Sequence, residues 1–356
     1  MTLHTGRMQV TSEGRRPTDG SLDEAYERLH HYGPEFAGYL SNHGPMVAEV
    51  LDRYEFGSAT QVWLDGYVRR LEDAPPIHAH VAIGEWQQRL GELSQLPDWL
   101  GIFAGQLQEQ PWRDVLATWW PRLLPGSVAA ATHPLIRAGH AVRALEREET
   151  APRLDELGQA LAYWAAVWQP LPGATSPHGD LAAGTALERL PHLPDSGEPM
   201  GSRVAGLVAV PGWQEALQAA HAPEQTSEVP AAIDSLVDAA VASYRWNVRG
   251  QPTMLVHAAT APAAVGAVLP SLPEDLWPAS YDTAWCLTAA VTALFAPLAA
   301  DRSPVDAVRT PEEAVTRAVG NGDAHVIKFT DVAAQAHERG CEPALEAARL
   351  AESLID

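Results

Sequence analysis

The chain has 356 residues, 46% of them hydrophobic, with 12 tryptophans and a formal charge of −21. That is apolar material for a large core, which excludes disorder. The negative charge, dispersed along the chain, excludes nucleic acid and anionic membranes as partners, since both need a basic face.

Residues 1–21 are polar and irregular and lack the apolar stretch of a secretory signal, so a flexible N-terminal arm is expected there. From residue 22 to residue 356 the pattern is helical. Apolar residues recur at three-to-four spacing over 45–56, 59–71, 97–107, 154–168, 229–246, 254–269, 279–295, 311–319 and 323–339. Abundant alanine supports these helices, and alternating strand-like runs are nearly absent. The 29 prolines and 27 glycines gather between the helical stretches, where they mark turns and helix starts. Residues 169–212 are the least patterned and are expected to form a connector between two helical halves or an active-site lid. No charge-free apolar run of about 18 residues is expected, hence no transmembrane helix. The expected fold is all-α, a single large helical domain over 22–356 with a bilobal split left open. Cys286 and Cys341 lie far apart, outside any CxxC spacing. They exclude a disulfide framework and a cysteine zinc site, and point to a reducing cytoplasm.

The chain has no GxGxxG after a strand, no GxxxxGK[ST], no GxSxG and no HExxH, so no nucleotide cofactor site is expected. Lys328 is the one lysine among 24 basic residues. In an Arg-rich background a retained lysine points to chemistry that arginine cannot do, because a desolvated amine can lose its proton and become a nucleophile or a carbamate. His325 stands three residues upstream, on the same helical face.

Five of the 14 histidines, His43, His133, His140, His257 and His325, sit in or beside apolar helical segments rich in small residues. One buried histidine is commonly a core residue bonded to a carbonyl or carboxylate. Several on separate helices point to a metal site between them, since imidazole is a frequent ligand and helix bundles build such sites from facing side chains. His78-Ala79-His80 follows Pro75-Pro76 and is assigned to a loop. Trp119, Trp120, Tyr163, Trp164, Trp168, Tyr244 and Trp246 are candidates for a flat apolar pocket, with core packing as the plainer role.

The segments Ser41-Asn42-His43-Gly44-Pro45-Met46, Phe56-Gly57-Ser58-Ala59 and Glu85-Trp86 resemble the questin oxidase family. So do Leu124-Pro125-Gly126, the block His133 to Ala144, Val256-His257-Ala258-Ala259-Thr260 and Asp323-Ala324-His325-Val326-Ile327-Lys328. The matches run in family order over most of the chain. The resemblance implies oxidative ring opening, or Baeyer–Villiger-type oxidation, of a fused-ring aromatic polyketide or quinone by O₂. It further implies Fe(II) held by His43, His133, His257, His325 and Lys328, with carbon dioxide bound to the lysine as a carbamate. His140 competes with His133 for the second position, since seven residues apart they share a face. Pro134 bears on that choice, because proline pushes its predecessor out of the helical region. His140 and Arg137 are further candidates for work on the substrate, with Arg137 and Arg143 able to pair with a phenolate or with Asp282 and Asp323. Two other functions stay open at this point: an NADPH-dependent or cofactor-free Baeyer–Villiger oxidase, and a non-catalytic helical protein that binds an aromatic ligand. Oligomeric state is not legible.

Overall fold

The structure is a computed structural model that describes residues 22–78, 84, 86–194, 196–198, 200–305 and 308–355. The expected arm over 1–21, together with His80 and Glu85, lies outside the described residues. The fold is all-α: helix makes up 70% of the chain. The named strands are β1 (Glu35–Phe36) and β2 (Leu40–Ser41), an antiparallel pair leading into His43.

The helix His257–Val268 lies at the centre, packed against His133–Arg147, Val229–Asn247 and Trp277–Phe295. Its sequence, HAATAPAAVGAV, explains the position: small side chains let neighbouring backbones approach on every side. The closest approach is to Gly139, where an added Cβ would stand 2.6 Å from the Ala264 Cβ and 2.8 Å from its Cα. Residues Pro252–Ser271 carry no Asp, Glu, Lys or Arg over 20 residues, against the expectation that no such run exists. Two-thirds of the run is buried inside the protein, so its apolarity is accounted for by the core.

One contiguous hydrophobic core runs through the described residues, and no bilobal division is present. Residues 169–212 carry the short helices Ala183–Glu188 and Met200–Arg203 and bury Leu187, Leu190, Met200, Val204 and Leu207 in that core. Isolated bridges Gly179–His221 and Leu181–Ala220 tie the segment down further. Trp119, Trp120 and Trp164 are fully buried, with Trp119 stacked edge-on to Trp99 and Phe103, so they are core residues.

Four helices share a direction, and this arrangement makes the site. Gly44–Arg53, His133–Arg147, His257–Val268 and Ala324–Glu338 begin together, where rings of His43, His133, His257 and His325 meet. About two turns further along they meet again, through Glu49 with His140, Arg143 with Asp331, and Gly139 with Ala264.

Candidate metal centre

Each histidine stands at the start of its helix. His43 is the residue before Gly44–Arg53, whose first turn carries Pro45. His133 and His257 are the first residues of theirs, and His325 follows Asp323, which caps its helix by accepting from the His325 and Val326 amides. The helical stretch expected over 254–269 carries Val256 in helical backbone (φ −59°, ψ −29°) between the turn Pro252–Leu255 and His257.

Pro134 was expected to force His133 out of helical geometry. Instead His133 is helical (φ −55°, ψ −40°) and the distortion falls on the three residues before it. Ala130, Ala131 and Thr132 all have positive φ, at 43°, 53° and 69°. Left-handed backbone costs a non-glycine residue about 1–2 kcal/mol, so three in succession is a strained entry. The strain has a local consequence: it turns the Ala130 carbonyl onto His133, whose Nδ1 donates to it at 2.6 Å.

The four rings are close. His43 Nε2 lies 2.7 Å from His133 Nε2, and His257 Nε2 lies 3.1 Å from the same atom. The His325 ring centroid is 4.5 Å from that of His43 and 5.5 Å from that of His257. Ligand atoms of His43, His133 and His325 fall within 4.8 Å of one another. Two nitrogens at right angles around a metal, each about 2.1 Å from it, stand about 3.0 Å apart, which is the spacing seen.

Proton positions follow from the tethers. His133 Nδ1 faces the Ala130 carbonyl and His257 Nδ1 faces the Met254 carbonyl at 3.0 Å, and a carbonyl only accepts. Both Nδ1 atoms therefore carry the proton. Burial, followed by the charges of the neighbouring histidines and Lys328, pushes His133 and His257 well below the ordinary histidine range, so neither takes a second proton. Two Nε2 lone pairs then face one another at 3.1 Å, an arrangement that suits a shared cation. His43 is likewise held well below its ordinary value by burial and then by Lys328. His325 is lowered mainly by burial, which outweighs Asp323, whose carboxylate lies 3.3 Å from its Nδ1.

Lys328 is 1% exposed, one turn beyond His325, and its Nζ meets the Met46 thioether at 3.9 Å. Among the described residues no carboxylate lies within ion-pair distance of it. Burial brings its pKa down to about 7.

His140 and Arg137 are not part of this cluster. His140 Nδ1 donates to Glu49 at 2.8 Å, in a buried network where Arg143 holds Glu49 and Asp331 together. Arg53 and Arg147 reach the same carboxylates from outside. Arg143 and His140 together hold the Glu49 carboxyl well below its ordinary range, against the upward push of burial. Arg137 forms a buried two-point pair with Glu156, 2.5 and 2.8 Å, and His30 bonds the same carboxylate. The expected pairings with Asp282 and Asp323 do not occur: Asp282 accepts from Ser176, and Asp323 serves His325.

Glu49 was missed in the sequence although it is the one charge in the apolar run Met46 to Leu51, a signal that could have marked it. In the sequence Asp323 reads as an arginine partner and as the first residue of the segment Asp323 to Lys328, not as the cap of a helix. Nothing in Ala129-Ala130-Ala131-Thr132 suggests a left-handed run, since alanine favours helix. No protein-family model matches this chain, and no curated protein matches it.

Proposed function

We propose that His43, His133, His257, His325 and Lys328 hold a ferrous ion, and that the protein is an oxygenase acting on an electron-rich fused aromatic ring, as the resemblance to questin oxidases implies. The observation that carries this reading is the pair of facing, proton-free Nε2 atoms of His133 and His257 beside two further imidazoles. Four imidazole nitrogens with one oxygen anion suit iron better than magnesium or calcium, which take oxygen ligands.

Charge balance brings in Lys328. Four neutral imidazoles add no negative charge, and the helix starts at His43, His133 and His325 place their positive dipole ends here. A divalent cation in this setting needs an anion beside it. A neutral buried amine that captures carbon dioxide at its nitrogen and releases one N–H proton to solvent becomes that anion, whereas a protonated lysine would repel the metal. When bound, such a metal supplies a site at which O₂ and an electron-rich ring can exchange electrons. The protein's part is to hold the imidazoles by carbonyl tethers and to keep water from the buried layer.

The test is iron content of protein purified without oxygen. Wild type is expected to hold close to one iron per chain, with little left in His43→Ala or His257→Ala while helical circular dichroism is unchanged. Lys328→Arg should lose metal as fully as Lys328→Ala, and Lys328→Glu should retain part of it, with added bicarbonate helping only wild type. Wild type free of transition metal under these conditions, or an Arg variant with normal iron and oxygen uptake, would overturn the assignment. Oxygen uptake with a fused-ring phenol should proceed equally with and without NADPH.

A further inference from the structure

Three imidazoles of the layer are each met at Nδ1 by an oxygen from just upstream in the chain. His133 faces the carbonyl of Ala130 and His257 that of Met254, three residues back in each case. His325 Nδ1 lies 3.3 Å from Asp323 Oδ1, two residues back. No hydrogen bond from another group reaches the His325 ring among the described residues. The first two oxygens are neutral carbonyls, so Asp323 brings a full negative charge to the back of one ring. Side-chain exposure is 15% for His325 and 26% for Asp323, which keeps the contact largely out of water.

Asp323 uses the same oxygen for two purposes. It caps the helix Ala324–Glu338 by accepting from the His325 amide at 2.7 Å and the Val326 amide at 3.3 Å. A cap needs only an oxygen at that place, and serine or asparagine supplies one about as well as aspartate. The ring contact draws on the reach and the charge of the carboxylate, so the two purposes can be separated by substitution.

The turn that carries Asp323 is itself held. The Asp323 amide donates to Asn321 Oδ1 at 2.9 Å, and Asn321 Nδ2 donates to the Glu352 and Ile355 carbonyls at 3.2 and 3.3 Å. From the other side Trp63 Nε1 donates to the Gly322 carbonyl at 2.8 Å. The helices Gly57–Tyr67 and Ala344–Leu354 thereby fix where the carboxylate stands.

A carboxylate behind a metal-bound imidazole fixes its tautomer and orientation and raises the basicity of the far nitrogen. We propose that Asp323 is a positioning residue for the metal: its carboxylate holds the Nδ1 proton of His325 and turns Nε2 into the layer as a stronger donor. This rests on the metal reading above and adds to it a carboxylate that touches no metal.

The probe is Co(II), titrated into chelator-treated full-length protein and followed by its visible absorption, with a competing chelator where binding is tight. Asp323→Ser keeps the cap and removes the carboxylate. Its metal-free melting temperature should lie within about 2 °C of wild type. Its Co(II) affinity should fall roughly tenfold to a hundredfold. Asp323→Asn, a cap of unchanged length without the charge, should lose roughly threefold to tenfold, and it decides the matter if the serine variant does not fold. His325→Ala should bind Co(II) weakly through the remaining ligands. Adding Asp323→Ser to it should change that affinity by less than about twofold, since no ring is left to position. Wild-type affinity in a folded Asp323 variant, or an equal loss with and without His325, would overturn this proposal alone. A wild type that binds no Co(II) would overturn the metal reading and this proposal together.

Discussion

Lys328 and the four imidazoles share a layer in which every charge is costly, and the pKa of the lysine makes that cost measurable. An unfolded chain keeps the amine protonated up to about pH 10.5, whereas the folded chain releases its proton near 7. Between those values the unfolded state binds more protons, so the stability of metal-free protein rises with pH through this window, and the full penalty is present below it. Each pH unit is worth at most about 1.4 kcal/mol. From pH 7.5 to 9, chelated wild type should therefore gain about 2 kcal/mol relative to Lys328→Met, in which nothing titrates at this position. Urea unfolding of both proteins at the two pH values measures it. Equal gains would show that the amine stays charged in the fold, and with it the route to a carbamate would close. Lysine's singularity in an arginine-rich chain was legible in the sequence, as were the histidines in apolar segments. That His140 belongs with Glu49 was not, because two histidines two turns apart on one helix share a face and only the neighbouring helices separate their roles.

At the scale of the element, the run Ala130 to Thr132 is the least favourable backbone at the site, and it is what aims His133. Ala131→Gly removes a left-handed alanine at the cost of a more flexible unfolded chain, two effects of about 1–2 and 0.4–1 kcal/mol respectively. The variant should be more stable by about 0.5–1 kcal/mol in chemical denaturation, where an exposed alanine-to-glycine change inside a helix would lose a similar amount. A destabilised Ala131→Gly would mean that the strain is relieved by contacts the φ values do not reveal. Of the four site helices, Gly44–Arg53, His257–Val268 and Ala324–Glu338 were legible because their apolar period is strong, whereas His133–Arg147 was not among the expected stretches. The left-handed run was not legible either. The short helix Met200–Arg203 lies against this loop, a contact distant in sequence. Local propensity carries no trace of such contacts.

Across the whole molecule, the histidine layer joins segments that begin at residues 43, 133, 257 and 325, so it closes long loops through one point. A ligand at that point that binds only the folded chain must raise the stability of the entire domain. With free Fe(II) at 100 times its dissociation constant the gain is about 2.7 kcal/mol, which for a chain of this length is a rise in melting temperature of about 4 °C. The single contiguous core predicts that this shift appears as one transition, not as a rise in one of two. Calorimetry under argon, with chelator or with ferrous iron, reads both quantities. His257→Ala should melt at the same temperature in either condition, since its ring is the one held between His133 and the Met254 carbonyl. An iron-loaded wild type that melts like the chelated protein would place the iron outside the four-helix junction. A shift confined to one of two separate transitions would show that the core does not unfold as a unit.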